Sequence, residues 1–309
     1  MFARRLAAGQ FVVTGELSPP RDADATTFLQ RLADLRPVLD AVNLTDNPGA
    51  AVRASPLAAA ALARSCGVEP ILQLTCRDRN RLALQSEVLG AALLGVPAIL
   101  AMTGDPITTG DQPEARPVFE LDSFGLIQLI VRLRRGELAS GRRLAHPPWL
   151  LVGGAEAPFA GPVHTTVDRL ERKVEAGAEF IQTQFIWEVD RFAEWLAEVR
   201  RRGLHQRVKI LAGVGILHSA RAARWLGDHL GQLVPAPVLA QLSAAASGTE
   251  LQVGIASAAS LISRLRELEG LAGVHLLPVG GTTGLRPTVE RAGLLPRPTG
   301  LPAPSPAPA

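Results

Sequence analysis

Four polar side chains stand where short apolar runs break off. Asp105 follows Ala98-Ile99-Leu100-Ala101-Met102 through Thr103-Gly104 and precedes Pro106, so a carboxylate sits where a strand should end. Glu16 closes Phe11-Val12-Val13-Thr14-Gly15 ahead of Leu17-Ser18-Pro19-Pro20. Gln73 lies within Ile71-Leu72-Gln73-Leu74-Thr75-Cys76, and Gln184 within Phe180-Ile181-Gln182-Thr183-Gln184-Phe185. Any one alone reads as a helix cap or turn residue; four in chain order argue for a site. In parallel α/β folds the carboxyl ends of several strands share one crevice, and polar groups there meet in space. Two carboxylates among amides and hydroxyls suit proton transfer combined with recognition of a heterocycle. The Gln and Asp edges match the donors and acceptors of a pterin or an isoalloxazine. Glu16 leaves an apolar run for a proline-stiffened turn, so desolvation is expected to raise its pKa and let it hold a proton near neutrality, as a general acid must.

The elements that would position these groups are legible as alternation. Apolar runs at 11–17, 41–46, 70–76, 97–103, 149–155, 180–186, 208–214 and 273–279 are nearly continuous, as expected when helices cover a parallel sheet. Between them, Phe28, Leu29, Leu32 and Leu35 share one helical face. Phe192, Trp195, Leu196 and Val199 share another, with Arg191, Glu194, Glu198 and Arg200 on the wet side. Those aromatics read as core. Eight strands alternating with helices predict a (β/α)8 TIM barrel, in the α/β class, as one domain over 1–294. Residues 217–270 leave room for two or three extra helices between the seventh and eighth strands, broken at Pro235-Ala236-Pro237. The proline-rich stretch 295–309 is expected to be a disordered tail. The barrel mouth would then collect Glu16, Thr45 with Asp46, Gln73, Asp105 and Gln184.

Composition narrows the function classes. The 309 residues are 47% hydrophobic, and 32 basic against 29 acidic side chains leave a formal charge of +3. The arginines are scattered, with no run longer than Arg200-Arg201-Arg202, which argues against a nucleic-acid partner. Cys66 and Cys76 are too few and too isolated for a disulfide framework, which fits a reducing cytoplasm. The histidines show no metal-ligand spacing, so no metal site is expected. No apolar stretch of ~18 residues is free of charges and turn signals, so no membrane span is expected.

In combination these segments resemble the methylenetetrahydrofolate reductase family. The matching stretches are Gly15-Glu16-Leu17-Ser18-Pro19-Pro20, Val42-Asn43-Leu44-Thr45, Gln73-Leu74-Thr75-Cys76, Thr103-Gly104-Asp105-Pro106, Arg172-Lys173-Val174-Glu175-Ala176-Gly177-Ala178 and Thr183-Gln184-Phe185. The resemblance implies a flavoprotein that reduces 5,10-methylenetetrahydrofolate to 5-methyltetrahydrofolate with NAD(P)H, in one-carbon metabolism and methionine supply. It implies that Glu16 protonates the folate, that Asp105 lies between flavin and folate, and that Gln184 contacts the folate. Flavin contacts map to Thr45, Gln73, Thr103, Gly104, Asp122, Ser123, Gly154 and Lys173. Gln73 and Thr103 stand where many members carry His and Arg, and Thr166 stands where an acid precedes the Lys. The flavin is therefore expected as FAD, with FMN or flavin-free hydride transfer left open. A non-catalytic folate-binding or complex-forming subunit is the reading from another class, and a homo-oligomer is also left open.

Overall fold

Parallel pairing joins every strand expected from the sequence. The computed structural model describes residues 2–230 and 234–297. It contains β1 (Val12–Leu17), β2 (Ala41–Leu44), β3 (Pro70–Thr75), β4 (Ala98–Met102), β5 (Leu151–Glu156), β6 (Phe180–Phe185), β7 (Lys209–Leu217) and β8 (Leu271–Val279). These close into one barrel in chain order, with β8 returning to β1. Helix α1 (Phe2–Ala7) precedes the barrel. Around it lie α2 (Thr26–Leu35), α3 (Pro56–Ser65), α4 (Arg81–Leu93), α5 (Ser123–Arg134), α6 (Val163–Ala176), α7 (Val189–Arg201) and α8 (Leu204–Arg207). The long segment before β8 folds as α9 (Ala220–Leu230), α10 (Ala236–Ala244) and α11 (Glu250–Leu265), and α12 (Leu285–Arg291) follows the last strand. Pro235 stands immediately before α10, which explains the break there.

Side chains alternate along each strand between the lumen and the helix layer. Val13, Leu17, Ile99 and Ile181 face the helices and join Phe28, Leu32, Leu35, Phe192 and Trp195 in the main core. The last two stack at 5.6 Å and are fully buried, as their helical spacing predicts. Val12, Ala41, Ile71, Ala98, Leu100, Phe180 and Leu211 form a separate apolar floor inside the barrel. Helix α1 seals that floor from below: Phe2 meets Phe180 edge-on at 5.6 Å and Leu6 packs beside it. A Cβ on Gly153 would lie 2.2 Å from the Phe180 ring, so only glycine leaves that ring its space.

One buried carboxylate fastens the same end. Asp40 accepts from the Val13 N–H at 2.7 Å, pairs with Arg5, and takes the Arg297 guanidinium at 2.5 Å. The chain is therefore anchored three residues into the stretch expected to be a tail. Residues 298–309 of that stretch lie outside the described residues. With the amino end plugged and bolted, the carboxyl end is left as the open mouth.

Candidate active site

Directly above the apolar floor the lumen turns polar. Thr14, Asn43, Gln182 and His275 are all buried there, on four different strands. Asn43 and Gln182 exchange amide hydrogen bonds: Asn43 Nδ2 donates to Gln182 Oε1 at 2.6 Å, and Gln182 Nε2 returns to Asn43 Oδ1 at 3.0 Å. Gln182 Nε2 also donates to Thr14 Oγ1 at 3.1 Å. Thr14 Oγ1 also lies 3.5 Å from the Val274 carbonyl, to which it donates, and 2.9 Å from His275 Nδ1. His275 Nε2 lies 3.6 Å from Glu16 Oε1, just beyond hydrogen-bond length but well within the range of charge.

Glu16 is thus the upper end of a buried chain of polar groups. Its Oε1 accepts from Gln73 Nε2 at 2.7 Å, and its side chain keeps 29% exposure at the mouth. Burial pushes this carboxyl up, but His275 and the Gln73 amide outweigh burial and hold it below its ordinary value. The expectation of a raised pKa is therefore overturned. An apolar strand predicts desolvation, but the partners on β3 and β8 become neighbours only when the barrel closes.

The other expected residues divide into groups. Gln73 joins Glu16 and serves the carboxylate directly. Thr45 is buried and donates to Ser18 Oγ at 3.0 Å, tying the loops after β1 and β2. Asp46 is also buried and structural: it accepts from Thr75 N and Oγ1 and pairs with Arg79 at 2.7 Å. Asp105 is exposed, and its Oδ2 accepts from the Gly49 N–H at 2.8 Å, so its partner lies on the β2 loop rather than at Glu16. Gln184 is exposed at the carboxyl end of β6, where the register with β7 shifts between Gln182 and Phe185. Bulges beside a site commonly re-aim a side chain in this way.

A second cluster lies at the start of α5. Ser123 N donates to Thr103 Oγ1 at 3.1 Å, and the Asp122 carboxylate caps the helix through Gly125 N at 2.8 Å. Gly104 makes the preceding turn at φ +99°, where a Cβ would crowd Arg77 and Thr75. Thr103, Phe119, Leu121 and Asp122 line an open cleft of about 550 Å³. Arg172 and Lys173 approach the Phe124 ring at 4.3 and 5.7 Å. Lys173 is buried, however, donating to Glu156 at 2.7 Å and to the Ala155 carbonyl at 2.5 Å. Burial lowers its pKa, and Glu156 only partly opposes this. Glu156 also binds Arg169, so the acid that Thr166 fails to supply comes from β5 instead. Thr166 itself accepts from Trp195 Nε1 at 3.1 Å. At Gly154 the Cβ direction points to the helix layer, meeting Ile181, Ile127 and the Lys173 stem. Burial drives the Cys76 thiol up to about 12, with Asp122 adding to the effect, which leaves it unreactive. Among the described residues, no group of three or more His, Cys, Asp or Glu is placed to hold a metal ion.

The sequence reading missed Thr14, Asn43, Gln182 and His275. The signal was present as polar residues two apart in apolar strands: Thr14 with Glu16, Asn43 with Thr45, Gln182 with Gln184.

The family model for methylenetetrahydrofolate reductase matches residues 1–288. The chain belongs to the methylenetetrahydrofolate reductase family. Methylenetetrahydrofolate reductase 1 of Schizosaccharomyces pombe is 26% identical over 53% of the chain, and the match spans 26% of the yeast protein. The 5,10-methylenetetrahydrofolate reductase of Salmonella typhimurium is 25% identical over 74% of the chain and 72% of its own length. The chain thus spans about a quarter of the yeast relative but most of the bacterial one. Among solved structures, a Clostridium thermocellum protein described as binding two copies of 5-methyl-5,6,7,8-tetrahydrofolic acid superposes with a TM-score of 0.60. It is 12% identical, with 94% of this chain and 96% of that one covered. At that identity the likeness establishes the barrel fold. No helix among the described residues of this family member is long and apolar enough to cross a membrane.

Proposed function

We propose that this chain reduces 5,10-methylenetetrahydrofolate to 5-methyltetrahydrofolate with hydride from NAD(P)H. The observation that carries this reading is Glu16 at the mouth, held by Gln73 and backed by His275 on a buried polar chain. Family membership and the folate bound by the Clostridium thermocellum neighbour support it.

In the resting mouth Glu16 is a carboxylate, so a proton must reach it before it can act as an acid. Glu16 keeps 29% exposure at the mouth, so its carboxylate can take that proton up from solvent. Substrate filling the mouth displaces water, which penalises the Glu16 carboxylate and favours its protonated form. Glu16 then gives that proton to the folate nitrogen as its bond to the bridging carbon breaks, leaving an iminium. Hydride addition to that carbon completes the methyl group. Gln184, exposed at the β6 bulge, offers an amide to the folate, and Asp105 borders the mouth from the β4 loop.

The cleft at α5 fits a flavin in its donor set. The Thr103 hydroxyl and the Asp122 carboxylate suit ribityl hydroxyls, and Arg172 and Lys173 stand over the ring of Phe124, two residues after Asp122. When bound, a flavin supplies a hydride relay between the nicotinamide and the folate. Lys173 can turn to an anion there only by leaving Glu156, which would keep Arg169.

The test is folate-dependent oxidation of NADH or NADPH by the purified chain under anaerobic conditions, read together with its visible absorbance. Turnover with a flavin spectrum supports the full reading. Turnover by colourless protein keeps the folate chemistry and removes the flavin. A protein that binds folate without turnover is a binding subunit, and the proposal fails.

A further inference from the structure

We propose that the cavity beside Glu16 contains an anion subsite. In it Arg21, Arg31 and Arg53 take the carboxylate or phosphate end of a ligand whose reacting end lies at Glu16. This rests on the mouth being the active site. The cavity, of about 400 Å³, runs from Glu16 along Ser18–Pro20 to the first turns of α2, with Gly281 and Thr282 on its far wall. All three arginines line it.

Several arginines at the mouth and in the helix layer have carboxylate partners: Arg77 has Asp78, Arg79 has Asp46, Arg169 has Glu156, and Arg202 has Asp168 and Glu171. Among the described residues, Arg21, Arg31 and Arg53 enter no ion pair. Three carboxylates also line the cavity, and none of them is within ion-pair distance of these arginines. Glu16 holds Gln73 and His275, Asp22 accepts from the Asp24 N–H at 3.1 Å, and Asp24 accepts from Thr26 N and Oγ1 at 2.9 and 2.6 Å.

Arg53 is the built element. It is half-buried, with its backbone N–H on Asn47 Oδ1 at 3.0 Å and Nη1 on the Pro19 carbonyl at 3.0 Å. That fixes the guanidinium between the β1 and β2 loops and leaves its buried Nε without a partner. A buried donor left unmade is costly, and a second guanidinium nearby adds repulsion. Burial and the charge of Arg21 both act against protonated Arg53 in the empty cavity. An incoming anion relieves both costs at once. Planar guanidinium forks match carboxylate and phosphate oxygens, so the ligand class is an oxyanion attached to a folate or to a nicotinamide donor. The glutamyl carboxylates of a folate and the phosphates of NAD(P)H both meet that description.

The experiment uses the full chain and the Arg21→Gln/Arg31→Gln double variant. Arg53 is spared because it also braces the Pro19 loop. Dissociation constants are measured for tetrahydrofolate mono- and triglutamate and for NADH and NADPH, at low and high salt. A charge-assisted hydrogen bond lost per arginine should weaken the responsible ligand roughly tenfold each. The difference between variant and wild type should shrink at high salt. Loss of the triglutamate advantage identifies the glutamyl tail; loss confined to the nicotinamide donor identifies its phosphates. Unchanged constants for all four ligands in a folded double variant overturn the proposal, and the single Arg31→Gln chain on the exposed face of α2 guards against misfolding. Wild-type protein that binds neither folate nor donor sinks the reductase reading instead. The subsite is then tested with inorganic pyrophosphate, which should raise the melting temperature of wild type and not of the double variant; equal response of both overturns it.

Discussion

Glu16→Gln separates the acid from everything else Glu16 does. The substituted amide oxygen can still accept from Gln73 Nε2, now 2.7 Å from Oε1, so the contact to β3 survives. A neutral group is also cheaper to bury at a mouth where the side chain is 29% exposed, so the fold should persist. What disappears is a transferable proton. Positioned general acids contribute ~10²–10⁴-fold, about 2.7–5.4 kcal/mol at ~1.36 kcal/mol per decade of rate. Rapid-mixing kinetics supply the assay. Oxidation of NAD(P)H by flavin-loaded protein without folate should stay near wild type, and folate reduction should fall by two to four decades (about 10²–10⁴-fold). Stability gives an independent reading of the same carboxylate. Its folded pKa lies below the ordinary 4.5, so its contribution is fully present above that value and is lost as pH falls through the lower folded value. The stability gap between wild type and Glu16→Gln should therefore close on acidification below pH 4.5. Equal loss in both half-reactions would make Glu16 a positioning group. No loss in either would move the acid elsewhere, with Asp105 the next carboxylate to replace.

Three further outcomes follow from the same contacts. His275→Asn removes the group that chiefly opposes burial at Glu16, so the Glu16 titration should move to higher pH in the pH profile of kcat/KM; an unmoved profile disconnects the two. Glu156→Gln leaves Lys173 charged and buried with no carboxylate, whereas Lys173→Met leaves Glu156 its Arg169. Urea denaturation should therefore show the larger loss for Glu156→Gln, on the order of 3–5 kcal/mol. Phe2→Ala opens the floor under Phe180 and should cost about 3–5 kcal/mol in the same assay without changing the affinity for folate; a loss under 1 kcal/mol would mean α1 does not seal the barrel.

The sequence by itself determined the architecture. Near-continuous apolar runs separated by amphipathic helices admit little but a parallel sheet with helices outside, and eight such runs close as a barrel. It also determined that Glu16, Thr45, Gln73, Asp105 and Gln184 stand at or near strand ends, because chain order alone places a polar residue after an apolar run. It could not determine what those residues touch. His275 is 259 positions from Glu16 and Gln182 is 168 from Thr14, and closure of the barrel brings both pairs within reach. That closure reverses the sign of the Glu16 shift, because the groups opposing burial come from β3 and β8. It likewise commits Lys173 to a carboxylate on β5 that the helix motif does not contain. Local pattern decides which element forms and which face is wet, since those depend on neighbours a few residues away. Protonation and charge pairing depend on distances of a few ångströms between remote segments, and those are set only when the tertiary structure is complete.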